Sequence, residues 1–123
     1  MIGDLPKPLS EKKFLQLLKD HMDVGCVKYT AKLDQKVQTV ALCGGAGGFL
    51  LNNAIRAGAQ VFVTADYKYH EFFDADGKIM IADIGHYESE QFTIELLATI
   101  IREKFGNFAV RLTEVGTNPV NYL

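Results

Sequence analysis

Residues 83–90 read DIGHYESE, and they join two mostly apolar segments of the chain. The preceding KIMIAD, at 78–83, is typical of a buried strand, and the following QFTIELLATIIREKFG, at 91–106, is typical of a long helix. This order places Asp83 at a strand end, and His86 and Glu90 at the start of the helix. Open α/β sheets carry their functional residues at the carboxyl ends of the strands. The stretch therefore predicts an α/β fold and the position of a site.

His86 and Glu90 stand four residues apart. In a helix that begins at His86, the two side chains share one face and lie roughly 6 Å apart along the axis. An imidazole and a carboxylate in this arrangement can hold one divalent metal ion. The alternative is an ordinary helix start, where acidic residues are favourable near the positive end of the helix dipole. The spacing alone leaves both interpretations open.

Composition excludes several classes of protein. The chain has 123 residues, 48% hydrophobic and 23% charged, which predicts one domain with a core and no need of disulfides. A net charge of −2 without a basic run gives no case for nucleic-acid binding. Cys26 and Cys43 match neither a redox nor a zinc motif, and we expect Cys43 to be a buried free thiol. With no signal peptide or membrane-length apolar run, we expect a soluble, cytoplasmic protein.

The remaining chain alternates strands and helices, which predicts a layered, largely parallel sheet flanked by helices. The expected elements are an extended arm at 1–9, a helix at 11–22 capped by Ser10, strands at 26–30, 37–43, 60–65 and 78–83, a helix from 49 to Gly58, a short helix or turn at 67–77, and a final strand at 107–115. The long last helix is expected to pack one apolar stripe inward. That stripe consists of Ile94, Leu97, Ala98, Ile101 and Phe105.

The glycine-rich loop GGAGG, at 44–48, follows one of these strands and precedes a helix. Such a loop can aim backbone N–H groups at an anion, with Gly44, Gly45, Gly47 and Gly48 as the candidates. A dinucleotide fingerprint fits poorly because Leu50 occupies the place of the third glycine, although Asp66 ends the next strand where a ribose-binding acid would lie. The other interpretation is that glycine allows a tight turn with close packing. Both remain open.

A second acid–histidine pair is formed by Asp66 and His70, four residues apart. The two could face each other across a helical turn, although a histidine among Tyr67, Tyr69, Phe72 and Phe73 is more often a packing residue. If the strands that end at Gly44, Asp66 and Asp83 are parallel neighbours, their loops lie at one edge of the sheet. We therefore expect these loops to form a single site.

Three segments carry a resemblance to a known family. The chain resembles the C-terminal half of the Nif-three-like family, whose members are named GTP cyclohydrolase 1 type 2 homologues. The resemblance rests on ALCGGAGGFLLNNAIRAGAQVFVTADYKYHEFFDAD at 41–76, IADIGHYESE at 81–90 and TNPVNYL at 117–123. It implies an α/β fold of two similar halves with a pair of divalent metal ions in the cleft between them.

The resemblance also implies roles for individual residues. His86 and Glu90 match a histidine and a glutamate that are metal ligands in the family, and Asp66 and His70 match a segment near the cleft. In a metal-dependent hydrolase, Asp83 would orient His86 without binding the metal itself, and Asp66 or His70 would donate or accept protons. Zinc, iron, manganese and nickel suit this donor set equally well.

The family's other ligands, an adjacent histidine pair and an aspartate, belong to an N-terminal half. This chain has three histidines and no such pair. We therefore expect it to be one half of a larger two-lobed protein and to be inactive alone. Family members also tend to form homohexameric rings, so a homo-oligomer is a further expectation.

Three functions follow from these patterns. The first is a metal-dependent hydrolase acting on a phosphate- or nucleotide-like substrate. The second is a non-catalytic module that binds a metal or a partner. The third is a small nucleotide-binding domain that uses the glycine loop and Asp66.

Overall fold

The computed structural model describes all 123 residues and is built on one five-stranded sheet. The strands are β1 (Ile2–Ser10), β2 (Lys28–Tyr29), β3 (Lys36–Ala46), β4 (Val61–Ala65) and β5 (Met80–Asp83). The α-helices are α1 (Glu11–Met22), α2 (Leu51–Arg56), α3 (His86–Glu90) and α4 (Thr93–Lys104), and 3-10 helices span Gly48–Leu50 and Tyr69–Ala75.

The strands lie in the order β1-β3-β4-β5-β2. The three central strands are parallel, and each edge strand is antiparallel to its neighbour. Register pairs Leu42 with Val63 and Thr64 with Asp83, so the three central strands end at the same edge. The predicted layered α/β fold with a largely parallel centre is confirmed, as is the adjacency of the three loops.

The core has two parts, one on each face of the sheet. On one face, Phe14, Leu15 and Leu18 of α1 pack against the sheet's valines, and all three are buried. The helix begins where predicted because the Ser10 side chain accepts a hydrogen bond from the Lys13 backbone N–H at 3.4 Å. On the other face, α2 and the Tyr69–Ala75 helix cover Phe62. Every side chain of β4 and β5 is buried, which explains their continuous apolar sequence.

The N-terminal residues form an edge strand. Residues 1–9 were expected to be an extended arm, and they are extended, but as β1 they hydrogen-bond to β3. Their register shifts between Asp4 and Leu9, where Pro6 and Pro8 have no N–H to donate. An edge strand tolerates such prolines because one side of it needs no partner.

The C-terminal part departs most from the sequence prediction. Residues 107–115 form no strand, because no strand of the sheet lies beside them to complete their hydrogen bonds. The long helix is divided at Gln91 and Phe92 into α3 and α4. Of the predicted inward stripe only Ala98 is buried, whereas Ile94, Leu97, Ile101 and Phe105 are exposed. No helix is long and apolar enough to span a membrane.

Candidate metal site

The candidate site lies at the edge where the parallel strands end. Gly85, with φ 91°, makes the turn from β5, and α3 begins at the next residue. His86 and Glu90 lie on the same face of this helix, as their spacing predicts. The distance from His86 Nε2 to Glu90 Oε2 is 3.5 Å, and both side chains are about half exposed. This is an open site with a nitrogen and an oxygen donor side by side.

Asp66 contacts the other ring nitrogen of His86, Nδ1. Its Oδ2 lies 2.6 Å from His86 Nδ1. Asp66 has a left-handed backbone, with φ 57°, directly after β4. Aspartate tolerates this conformation better than most residues, although at some cost. Since the carboxylate accepts the Nδ1 proton, the neutral ring presents its Nε2 lone pair towards Glu90.

The hydrogen bond and the charge of Asp66 raise the pKa of His86 above its ordinary value, and Glu90 adds a smaller effect in the same direction. The proton therefore stays on His86 to a higher pH than on an isolated histidine. A cation bound at Nε2 would compete with that proton.

Asp83 does not touch His86, contrary to the expectation that it would orient the ring. Asp83 is 1% exposed and forms an ion pair with Lys28 at 2.7 Å. It also accepts hydrogen bonds from the backbone N–H groups of Tyr67 and Gly85, at 3.1 and 3.0 Å. The orienting contact belongs instead to Asp66. Asp83 fixes the two loops that carry Asp66 and His86, which is an indirect role.

The glycine-rich segment approaches the site, although its first three residues, 44–46, continue β3 and only Gly47 and Gly48 follow the strand. Two of its backbone donors are used within the protein. The N–H of Gly45 donates to the Ser89 hydroxyl at 2.8 Å, and the N–H of Gly47 donates to the Thr64 hydroxyl at 3.0 Å. The N–H groups of Gly45 and Gly47 are therefore not free to bind an anion, and anion binding by Gly44 and Gly48 stays a prediction. Gly45 has a left-handed backbone with φ 62°, which L side chains rarely adopt, so its conformation explains that glycine.

His70 lies apart from His86. It is exposed in the Tyr69–Ala75 helix, and its ring packs edge-on against Tyr69 with centroids 5.3 Å apart. The side chain of Asp66 turns to His86, so the predicted Asp66–His70 pair does not form. His70 also does not line the cavity beside His86. The packing interpretation of His70 is the one that the structure favours.

Sequence reasoning missed the residues that fasten these loops together. Ser89 bridges the loop to α3, because it also donates to the His86 carbonyl at 2.8 Å. Thr64 is fully buried and donates to the Gly45 carbonyl at 3.1 Å. A threonine inside the apolar run QVFVTA was an available signal, whereas nothing in the sequence marked Ser89.

A cavity of about 980 Å³ adjoins the site. Asp66, His86 and Glu90 lie at one part of its wall, and apolar side chains such as Ile94, Leu97 and Val120 lie at another. This combination of a few polar groups with apolar walls is usual for small-molecule sites.

The donor set of the site has the chemistry of a transition-metal site, since imidazole and carboxylate are ligands of zinc, iron, manganese and nickel. His86 and Glu90 supply two donors, and no three His, Cys, Asp or Glu side chains of the chain are grouped so as to hold a metal ion. A protein metal ion usually needs about four donors. The two residues could therefore supply part of a metal site but not a complete one.

The fold and the site define the class, an α/β chain with a histidine–carboxylate pair at the carboxyl edge of a parallel sheet. Residues 1–119 match the family model described as Duf34/NIF3 (NGG1p interacting factor 3). The chain belongs to this family.

Relatives of known name lie in bacteria and archaea. The chain is similar to the GTP cyclohydrolase 1 type 2 homolog of Bacillus subtilis, with 33% identity over 127 residues that cover 99% of this chain and 34% of the relative. The Archaeoglobus fulgidus protein of the same name is 40% identical over 86 residues, covering 69% of this chain and 35% of the relative. The chain thus spans about a third of the length of the curated relatives that it matches.

Solved structures agree with the fold. A Bacillus cereus protein related to NIF3 superposes with a TM-score of 0.83 at 31% identity, covering 99% of this chain and 35% of that chain. A Staphylococcus aureus protein superposes with a TM-score of 0.85 at 25% identity, covering 99% of this chain and 41% of that chain.

Proposed function

We propose that this chain supplies His86 and Glu90 as ligands to a divalent metal centre that assists hydrolysis of a phosphate- or nucleotide-like substrate. The observation that carries the proposal is the geometry of His86: Nδ1 lies 2.6 Å from Asp66 and Nε2 lies 3.5 Å from Glu90. A histidine that ligates a metal through one nitrogen is usually held through the other by a carboxylate or a carbonyl. The relatives' name, GTP cyclohydrolase 1 type 2 homolog, mentions a nucleotide, and the nucleotide-like substrate is proposed from that wording.

Each residue of the site has a separate part in this proposal. Asp66 fixes the tautomer and the orientation of His86, and Glu90 adds a negative oxygen donor. Ser89 and Gly45 hold α3 against the end of β3 through their hydrogen bond. A bound divalent ion would supply Lewis acidity towards a water or a substrate oxygen. The cavity would exclude bulk water from part of the substrate.

The proposal requires donors beyond the two that this chain offers. We place them on an N-terminal half, as the family resemblance implies, so that the complete centre lies between two halves and holds two metal ions. The same resemblance favours assembly of the complete protein as a homo-oligomer.

Metal analysis of a two-lobed protein containing this chain tests the proposal. Replacing His86 with Ala should remove bound metal and, with it, hydrolysis of nucleotide or phosphate-ester substrates. His70→Ala is the matched control, since it removes an exposed histidine outside the cavity. Unchanged metal content in the His86→Ala protein would exclude His86 as a ligand. If His86→Ala loses the metal but the parent protein has no hydrolytic activity, the metal site is supported and only the catalytic part of the proposal is rejected.

A second candidate, a non-catalytic module that binds a partner, is favoured by one observation. Helix α4 exposes large apolar side chains around much of its surface. They include Ile94, Leu96, Leu97, Ile100 and Ile101, which are 39–60% exposed. Exposed apolar surface of this extent is typical of an interaction face. Sedimentation of the chain tests it, since a partner-free monomer that stays soluble at high concentration would count against this candidate.

The nucleotide-binding domain built on the glycine loop is not proposed. Its two expected elements have other partners, because the Gly45 and Gly47 N–H groups bind side-chain hydroxyls and Asp66 binds His86.

A further inference from the structure

The C-terminal segment forms part of the wall of the cavity beside His86. Residues between Thr113 and Tyr122 line this cavity together with α3 and the first part of α4. This segment has no helix or strand, and among residues 111–123 only Asn118 is half-buried rather than exposed. A segment with so few buried contacts is held to the protein at a small number of points.

Glu88 is the main point of attachment. It is 6% exposed, although it lies on a five-residue surface helix. Its Oε1 accepts a hydrogen bond from Asn118 Nδ2 at 3.3 Å. The Tyr122 side chain lies near the same carboxylate, and burial together with the charge of Glu88 raises the pKa of Tyr122. Two side chains of the same segment thus lie next to one buried carboxylate.

Gly85 makes room for this attachment. A Cβ at Gly85 would collide with Glu88 Oε2 and would lie 3.1 Å from the Tyr122 hydroxyl. The Tyr122 ring also packs on Gly25, where a Cβ would lie 3.0 Å from the ring. Two glycines from different loops therefore accommodate a single aromatic residue of the C-terminal segment.

The attachment and the site share α3. Glu88 lies two positions after His86 and two before Glu90, which at about 100° per residue places it on the other side of the helix. The helix therefore presents His86 and Glu90 on one face and Glu88 on the opposite face. Any movement of the C-terminal segment changes the cavity without removing a residue of the site.

We propose that residues 113–122 are a strap that closes the cavity beside His86 and Glu90, and that Glu88 is the anchor that holds the strap closed. Molecules reach the inner cavity when Asn118 and Tyr122 leave Glu88. The strap governs access and does not depend on whether His86 binds a metal. The core and the sheet are not required to move, because the strap makes no backbone pairing with them.

The test uses the metal-free chain carrying Asn118→Ala and Tyr122→Phe together. Both side chains belong to the surface segment, so the fold should survive, and Tyr122→Phe retains the ring on Gly25. Loss of these two contacts should lower the NMR order parameters of the backbone amides in residues 113–122 from the rigid range of about 0.85 to below about 0.6. Asn121→Ala is the matched control, since it removes an exposed amide from the same segment.

Thiol labelling provides an independent readout of the cavity. Cys26 lines the cavity and neighbours Gly25, whereas Cys43 lies outside it. A bulky maleimide should label Cys26 faster in the double variant and Cys43 at an unchanged rate. Order parameters and Cys26 labelling equal to those of Asn121→Ala would overturn the strap. Order parameters of residues 113–122 below about 0.6 in the parent chain, as in a flexible segment, would overturn it as well. Tyr122→Phe alone should give a smaller change of the same sign.

Discussion

At the scale of single residues, the site depends on how Asp66 and His86 are joined. Asp66 was expected to line the site, and Asp83 was expected to orient His86. The structure exchanges these roles, because the left-handed backbone of Asp66 turns its carboxylate to His86 while Asp83 is buried beneath the loops. The spacing of residues along the chain predicted the His86–Glu90 pair, but it could not predict a backbone angle.

The first prediction concerns the pKa of His86. Because Asp66 stabilises the protonated ring, Asp66→Asn should lower this pKa towards 6.5, the ordinary value. Histidine resonances followed by NMR against pH in the metal-free chain would measure it. Asp74→Asn, in the Tyr69–Ala75 helix, should leave the pKa unchanged.

The sign of the stability effect follows from the direction of the shift. The pKa of His86 is higher in the folded state than in the unfolded state, so the Asp66–His86 pair stabilises the fold fully below the unfolded pKa. This contribution is lost as pH rises through the folded pKa. The difference in stability between the parent chain and Asp66→Asn should therefore shrink from acid to alkaline pH. A constant difference would contradict the ion pair.

The second prediction concerns Gly47. A Cβ there would collide with the Thr64 hydroxyl and lie 2.7 Å from the Cβ of Cys43. Gly47→Ala should lower the free energy of unfolding by about 1–3 kcal/mol, as overpacking does. Gly3→Ala, which meets nothing within 4 Å, is the control in the same urea titration. Equal stability of the two variants would remove close packing as the reason for this glycine.

At the scale of elements, the sequence predicted what local patterns determine. The run of apolar residues before Asp83, and the cap at Ser10 before α1, are local signals, and both elements form where expected. Residues 107–115 have a strand-like pattern, but a strand requires a neighbour, and that neighbour is not a local property. The prediction of a buried stripe on α4 was wrong for the same reason. Periodicity shows which residues share a face of the helix, but not what covers that face.

The third prediction compares two Lys–Asp pairs of equal length. Lys28–Asp83 and Lys78–Asp76 are both 2.7 Å long, but Asp83 is buried and Asp76 is exposed. Asp83→Asn should lower the free energy of unfolding by about 2 kcal/mol, because it removes the negative charge that Lys28 and two backbone N–H groups contact. Asp76→Asn should cause no measurable change, because exposed pairs contribute little. Thermal unfolding measures both, and similar losses for the two variants would contradict the loop-fixing role of Asp83.

At the scale of the whole molecule, one inference from the sequence determined the location of the site. Parallel adjacency of β3, β4 and β5 brings the loops after them to a single edge, where Gly45, Asp66 and His86 meet. Alternation of strands and helices is enough to predict this arrangement. The exposure of the apolar face of α4 could not be predicted from these residues, because periodicity does not show which face of a helix is covered.

Metal titration tests the central claim, that His86 and Glu90 are two ligands of a shared metal centre. Calorimetric titration of the chain with zinc should show weak binding in the parent and in His70→Ala. Binding should be lost in His86→Ala and reduced in Glu90→Gln. Zinc binding by His86→Ala equal to that of the parent would contradict the claim. Tight binding of two zinc ions by the parent chain would contradict the need for a second half.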